Sequence, residues 1–284
     1  MVVAATIPLM LASLACGASP WTNPAESAGP VAPAELEPGV TFEQAVLSRE
    51  GVMMRVWFYT PTDAEGSLPL VVVGPAGSDM RTGMALTDGD RPEHLPYVRQ
   101  GFAVVSFDID GYPASPLEHG SAVDAYEAAD NGVANARAAL RWALQHEPRI
   151  DRDRVYAAGH SSAATVALDF AAHEPQIRAV AAFAPVPDLP SYFETNGAPM
   201  GPAARTHAEA HSPVHLADRI EVPVFLFQSS ADAGLDAAGM DRLWAALPDN
   251  ASSRRVRVDQ GGHYESMIEA GVPAAIEWMQ GLAR

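Results

Sequence analysis

Val155-Tyr156-Ala157-Ala158-Gly159-His160-Ser161-Ser162-Ala163 is the most informative run in this chain. Four apolar residues read as a short buried strand, and from Ser162 to Ala172 the pattern turns helical. Between them a Gly-x-Ser-x-Ala run places Ser161 on a strand-to-helix turn. A serine held at such a turn needs small neighbours two residues to either side, because the backbone there is strained and closely packed. Gly159 and Ala163 meet that need. The Ser162 N–H, at the start of the helix, would then face the place where an oxyanion forms. The competing reading makes Ser161 a plain helix N-cap.

Outward from this turn, strands and helices alternate. Phe42–Arg49 and Val52–Tyr59 read as strands joined through Glu50-Gly51, a hairpin signal. Leu68–Val73 is an apolar, β-branched run ending in Gly-Pro-Ala-Gly, and Phe102–Phe107 is another. Pro92–Gln100 suits a short helix closed by Gly101, and Ser121–His146 reads as one long helix stopped by Pro148. Ala179–Ala184, Val224–Gln228 and Arg255–Val258 supply further strands. Helical spacing returns at Met240, Leu243, Trp244 and Leu247, and again at Val272, Ile276 and Met279. Continuous apolar strands alternating with helices imply an α/β fold: a mostly parallel twisted sheet of about eight strands, covered on both faces. Residues 185–220 are long for a strand connection and suit a small cap carrying substrate-binding elements. The globular domain is expected over residues 41–284.

The order serine, acid, histidine is completed downstream. Asp232 follows the strand Val224–Gln228, and His263 follows Arg255–Val258 in Gly261-Gly262-His263. Ser161, Asp232 and His263 all stand at carboxyl ends of predicted strands, the edge where open α/β sheets place their sites. Asp236 and Asp259 compete with Asp232 for the acid position. Asp108 and Asp110 read as loop-fixing carboxylates, and His160 as packing.

The stretches Arg154–Ala163, Ile177–Asp188 and Ser212–Asp232 resemble the α/β-hydrolase superfamily. Within it they look most like the prolyl oligopeptidase catalytic domain and the dienelactone-hydrolase-like esterases. The resemblance covers about Val52 to the end. It implies Ser161 as nucleophile, His263 as general acid and base, and Asp232 as the group that orients His263. The chain lacks the β-propeller of the large oligopeptidases, and Gly74-Pro75-Ala76-Gly77 stands where they carry a His-Gly-Gly-Pro turn. The second oxyanion donor is therefore expected at the Gly77 N–H, with Ala76 next. The chemistry needs no metal or organic cofactor. Serine becomes a nucleophile when an imidazole takes its proton during attack and returns it to the leaving group.

Composition narrows the rest. Of 284 residues, 48% are hydrophobic and 19% charged, so the chain can bury a full core. The net charge of −17 argues against a nucleic-acid partner. The single cysteine excludes an intrachain disulfide and any cysteine-cluster metal site. His207, His211 and His215 recur every four residues, but Ser212-Pro213 interrupts a shared helix and the His-Glu-x-x-His order is absent, so no metal site is expected.

Residues 1–16 are apolar or small and too short to span a bilayer, as a secretory signal would be. Ser13-Leu14-Ala15-Cys16 resembles the bacterial lipobox, which makes Cys16 a candidate lipidation site and the chain an envelope lipoprotein. Cleavage near Ala18 with simple export and a cytosolic protein are the other readings. Residues 17–40, rich in Pro, Ala, Gly and Ser, read as a disordered tether. Three functions are consistent with the sequence: a serine esterase, a serine peptidase, or a non-catalytic surface protein on a hydrolase scaffold. The first two take a small ester or peptide substrate.

Overall fold

In the computed structural model, residues 29–49, 52–112, 119–198 and 200–282 are described. The cysteine, the proposed signal and the Glu50-Gly51 turn lie outside them. Among the described residues nine strands form one sheet: β1 (Val31–Glu37), β2 (Val40–Arg49), β3 (Val52–Pro61), β4 (Leu68–Val73), β5 (Ala103–Phe107), β6 (Ile150–His160), β7 (Ala179–Phe183), β8 (Val224–Ser229) and β9 (Arg254–Val258). Their spatial order is β1-β2-β3-β5-β4-β6-β7-β8-β9. The first three strands pair antiparallel, as do β3 and β5, and every later pair is parallel.

Alternation along the central strands sends side chains into two separate cores. Leu70 and Val72, Val155 and Ala157, Val180 and Ala182, and Val224 and Leu226 face one side. Val71 and Val73, Tyr156 and Ala158, Ala179 and Ala181, and Phe225 and Phe227 face the other. With period-two geometry, a strand apolar at every position must be covered on both faces. The covering helices are α1 (Arg91–Arg99), α2 (His119–Ala128), α3 (Val133–His146), α4 (Ser162–His173), α5 (Leu189–Thr195), α6 (Pro202–Ala210), α7 (Pro213–Leu216), α8 (Ala237–Ala246) and α9 (Val272–Leu282). Helices α3, α4 and α8 pack on the first face, and α1 and α9 on the second.

Two expectations are corrected. Residues 31–37, placed in a disordered tether, form edge strand β1, which pairs with β2. Its side chains are almost all exposed, so hydrophobic periodicity carries no trace of it. Backbone pairing makes the strand, with Gly39 at φ 82° turning the chain and Pro33 tolerated at an edge. Among the described residues nine strands therefore stand where about eight were expected. The single helix expected over Ser121–His146 is broken into α2 and α3 at Asp130-Asn131-Gly132, whose φ angles are 48°, 52° and 97°.

Residues 185–220 carry α5, α6 and α7. They close over the carboxyl edge of the sheet with a small core of their own, in which Leu189, Phe193 and Ala208 pack with Met80.

Candidate active site

Strand β6 runs into α4 through Ser161, which sits at φ 54°, ψ −120°. A non-glycine residue held at positive φ costs of order 1–3 kcal/mol and persists only where its surroundings fix it. The fixing contacts are backbone ones. Ser161 N–H donates to Phe183 O at 2.8 Å, and Ala164 N–H donates back to Ser161 O at 3.1 Å. Gly159 is obligatory here, since a Cβ on it would lie 2.3 Å from Ala163 O and 2.8 Å from Ala164 N.

Asp232 and His263 meet across the ends of β8 and β9. His263 Nδ1 stands 2.5 Å from Asp232 Oδ2, while Asp232 Oδ1 accepts from Gly234 N at 3.0 Å. The carboxylate is buried and the imidazole side is half open to solvent. Ser229 ties the two loops together: its Oγ accepts from Ala231 N at 3.1 Å and donates to Gly261 O at 2.8 Å. The competing acids are used elsewhere. Asp236 caps α8 by accepting from Gly239 N, and Asp259 accepts from Ser230 Oγ. Ser161, Ser162, Asp232 and His263 all line one cleft of about 1010 Å³, which the insertion walls with Val186, Ser191 and Tyr192.

The 74–78 turn approaches the elbow differently from expectation. Gly77 N–H and Ser78 N–H both donate to Ser162 Oγ, at 3.0 and 3.1 Å. Neither Gly77 nor Ala76 is among the residues that line the cleft, whereas Ser78 is. Burial pushes the Asp90 carboxyl up to about 6, against hydrogen bonds from the Thr87 N–H and hydroxyl that favour its anion.

His160 does more than pack. Its Nε2 lies 3.1 Å from His263 O and its ring centre 4.5 Å from that of His263, with Glu93 Oε1 3.6 Å from its Nδ1. It braces the loop that carries His263. No local pattern could have shown a contact between residues 103 positions apart. Asp108 and Asp110 hold loops, as expected: Asp108 pairs with Arg55 and accepts from Leu86 N, and Asp110 pairs with Arg49.

Two histidines of the insertion, His207 and His211, serve as fasteners. His211 Nδ1 meets Asp169 Oδ2 at 2.6 Å and His207 Nε2 meets Asn131 Oδ1 at 2.7 Å, joining α6 to α4 and to the α2–α3 break. Among the described residues no group of three His, Cys, Asp or Glu side chains could hold a metal ion. A second cavity, of about 240 Å³, lies beneath α5 and α6 and shares Met80 with the cleft. Its walls include Leu189, Phe193 and Met200, with Arg81 and Glu127 also facing it.

The S15 family, described as X-Pro dipeptidyl-peptidase, matches residues 50–210, more than half of the chain. The chain belongs to this family. The S15 match includes Ser161 and most of the insertion but stops before Asp232 and His263. No curated protein matches the chain. Among solved structures, acetyl xylan esterase 1 from Thermoanaerobacterium sp. superposes with a TM-score of 0.66 at 16% identity, covering 89% of this chain and 87% of that one. The acylaminoacyl peptidase of Pyrococcus horikoshii gives 0.68 at 16% identity, over 84% of this chain and 41% of that one. A prolyl endopeptidase gives 0.65 at 16% identity, over 88% and 40%. At such identities the superpositions establish the α/β-hydrolase fold. The S15 membership and this fold make the protein a serine hydrolase of the esterase or peptidase type.

Proposed function

We propose that this S15-family protein cleaves carboxylic esters through an acyl-enzyme on Ser161. His263 is the general base and acid, and Asp232 holds its tautomer and stabilises the imidazolium. The reading is carried by one observation: an imidazole 2.5 Å from a buried carboxylate shares its cleft with a serine on a strained turn. Ser161 Oγ attacks the carbonyl carbon as His263 takes its proton. The carbonyl electron pair moves onto oxygen, beside the Ser162 N–H at the start of α4. Collapse expels the alcohol, which leaves with the proton from His263, and water repeats the sequence on the acyl-enzyme. The cavity beneath α5 and α6 is placed to receive a side group of the substrate past Met80.

Peptide cleavage is the second reading. It is favoured by the description of the S15 family and by Glu127, which faces that cavity without an ion pair among the described residues and could receive an ammonium group. A panel of p-nitrophenyl esters and X-Pro p-nitroanilides, run on the parent chain and on Ser161→Ala, tests both. Ester turnover abolished by Ser161→Ala supports the first reading. Efficient release of an X-Pro dipeptide reverses the order, and undiminished turnover by the variant removes Ser161 from the mechanism. We further propose that Cys16 carries a lipid that tethers the enzyme to a membrane; an unmodified Cys16 in a soluble mature protein, found by mass spectrometry, would contradict it.

A further inference from the structure

We propose that the side-chain hydroxyl of Ser162 is itself an oxyanion donor, in the role expected of the Gly77 N–H or, next, the Ala76 N–H. This rests on Ser161 being the nucleophile. A serine hydroxyl has one hydrogen to donate and two lone-pair sites to accept with. At Ser162 both accepting sites are occupied, by Gly77 N–H at 3.0 Å and Ser78 N–H at 3.1 Å. What remains is the O–H, for which the described residues supply no acceptor.

Ser162 lines the cleft with Ser161 and His263, as does Ser78, while Gly77 is not among the lining residues. Both amides are taken up by the hydroxyl oxygen and act through it, and two N–H donors on one oxygen polarise its O–H as in any hydrogen-bonded chain. The same residue also supplies the N–H that begins α4. When Ser161 Oγ bonds to the carbonyl carbon and His263 takes the proton, the electron pair displaced onto oxygen meets two donors from one residue, an N–H and an O–H. When the intermediate collapses, that pair re-forms the carbonyl and both hydrogen bonds relax. No covalent bond to Ser162 is made or broken.

The test compares Ser162→Ala and Ser162→Thr with the parent in p-nitrophenyl acetate hydrolysis, alongside the affinity of a trifluoromethyl ketone and fluorophosphonate labelling of Ser161. Loss of an oxyanion donor typically lowers kcat by about 10²–10³-fold. Ser162→Ala is therefore expected to lose about 100-fold in kcat with KM changed by less than about 3-fold. The ketone, which mimics the tetrahedral intermediate, should lose affinity by a similar factor, and Ser162→Thr should stay within about tenfold of the parent. A Ser162→Ala enzyme as fast as the parent would overturn the proposal, because the freed Gly77 and Ser78 amides would then be the donors. A slow Ser162→Ala enzyme that binds the ketone undiminished would also overturn it, since the loss would then come from loop displacement. A parent chain that the fluorophosphonate leaves unlabelled would overturn the nucleophile assignment beneath it, a result no behaviour of the Ser162 variants can imitate.

Discussion

Adding one methyl group at Gly159 and the same methyl group at Gly74 should give opposite results. At Gly159 a Cβ would meet Ala163 O at 2.3 Å, Ala163 C at 2.4 Å and Ala164 N at 2.8 Å. All three atoms are backbone in the first turn of α4, so no side chain can swing aside. Restoring ordinary contact requires moving the start of α4 by about 1 Å relative to the strand, and with it Ser161 and Ser162. Overpacking of this kind costs about 1–3 kcal/mol. Because both neighbours are backbone, the upper end is expected, a fall in Tm of about 6–12 °C by the usual scaling for a domain of this size. A displacement near 1 Å at the reacting atoms costs about 10²-fold in rate. At Gly74 the nearest atoms to a new Cβ are Phe107 Cζ at 3.6 Å and Ala163 Cβ at 3.8 Å, ordinary contact distances. Gly74→Ala should therefore leave Tm within about 2 °C, in keeping with a change of about 0.5 kcal/mol. Thermal unfolding and p-nitrophenyl acetate turnover read both variants. A Gly159→Ala protein that melts and turns over like the parent would refute the argument for the elbow's packing.

Asp232→Asn keeps an oxygen for Gly234 N but can no longer fix the histidine tautomer, so kcat should fall by about 10⁴-fold with the fold intact by circular dichroism; a fall below tenfold would contradict the role of Asp232. Asp108→Ala leaves the buried Arg55 guanidinium without its carboxylate, and urea unfolding should show a loss of about 3–5 kcal/mol. For Asp90 the sign follows from its folded-state value of about 6, above the ordinary 3.8. The native state keeps the proton through that window while the unfolded chain has released it. Stability should therefore decline from about pH 4 to about pH 6 by up to about 3 kcal/mol, then level off. Asp90→Asn should flatten that decline in denaturant titrations across the same range, and an unchanged slope would count against it.

The central strands and the elbow were legible because their physical demands are written locally. A strand buried on both faces must be apolar at every position, as Leu68–Val73 and Ala179–Phe183 nearly are. A serine at φ 54° needs a residue as small as Gly159 behind it. That Asp232 and His263 meet was within reach because each follows a recognisable strand. What escaped depends on contacts that a linear pattern does not encode. Strand β1 is held by backbone pairing with its side chains in solvent. The break at residues 130–132 lies inside an otherwise regular apolar stripe; Asn131-Gly132 is a turn signal, but the periodicity on either side of it dominated. The placement of Gly77 and Ser78 against Ser162, and of His160 against His263, depends on how separate loops converge.

The most direct measurement is to react the full chain with a fluorophosphonate, digest it and locate the modified residue by mass spectrometry, alongside a His263→Ala variant. The account predicts stoichiometric modification at Ser161 and at no other serine, slowed by at least about 10³-fold in the variant. Modification at a different residue, or equal rates with and without the imidazole, would contradict it.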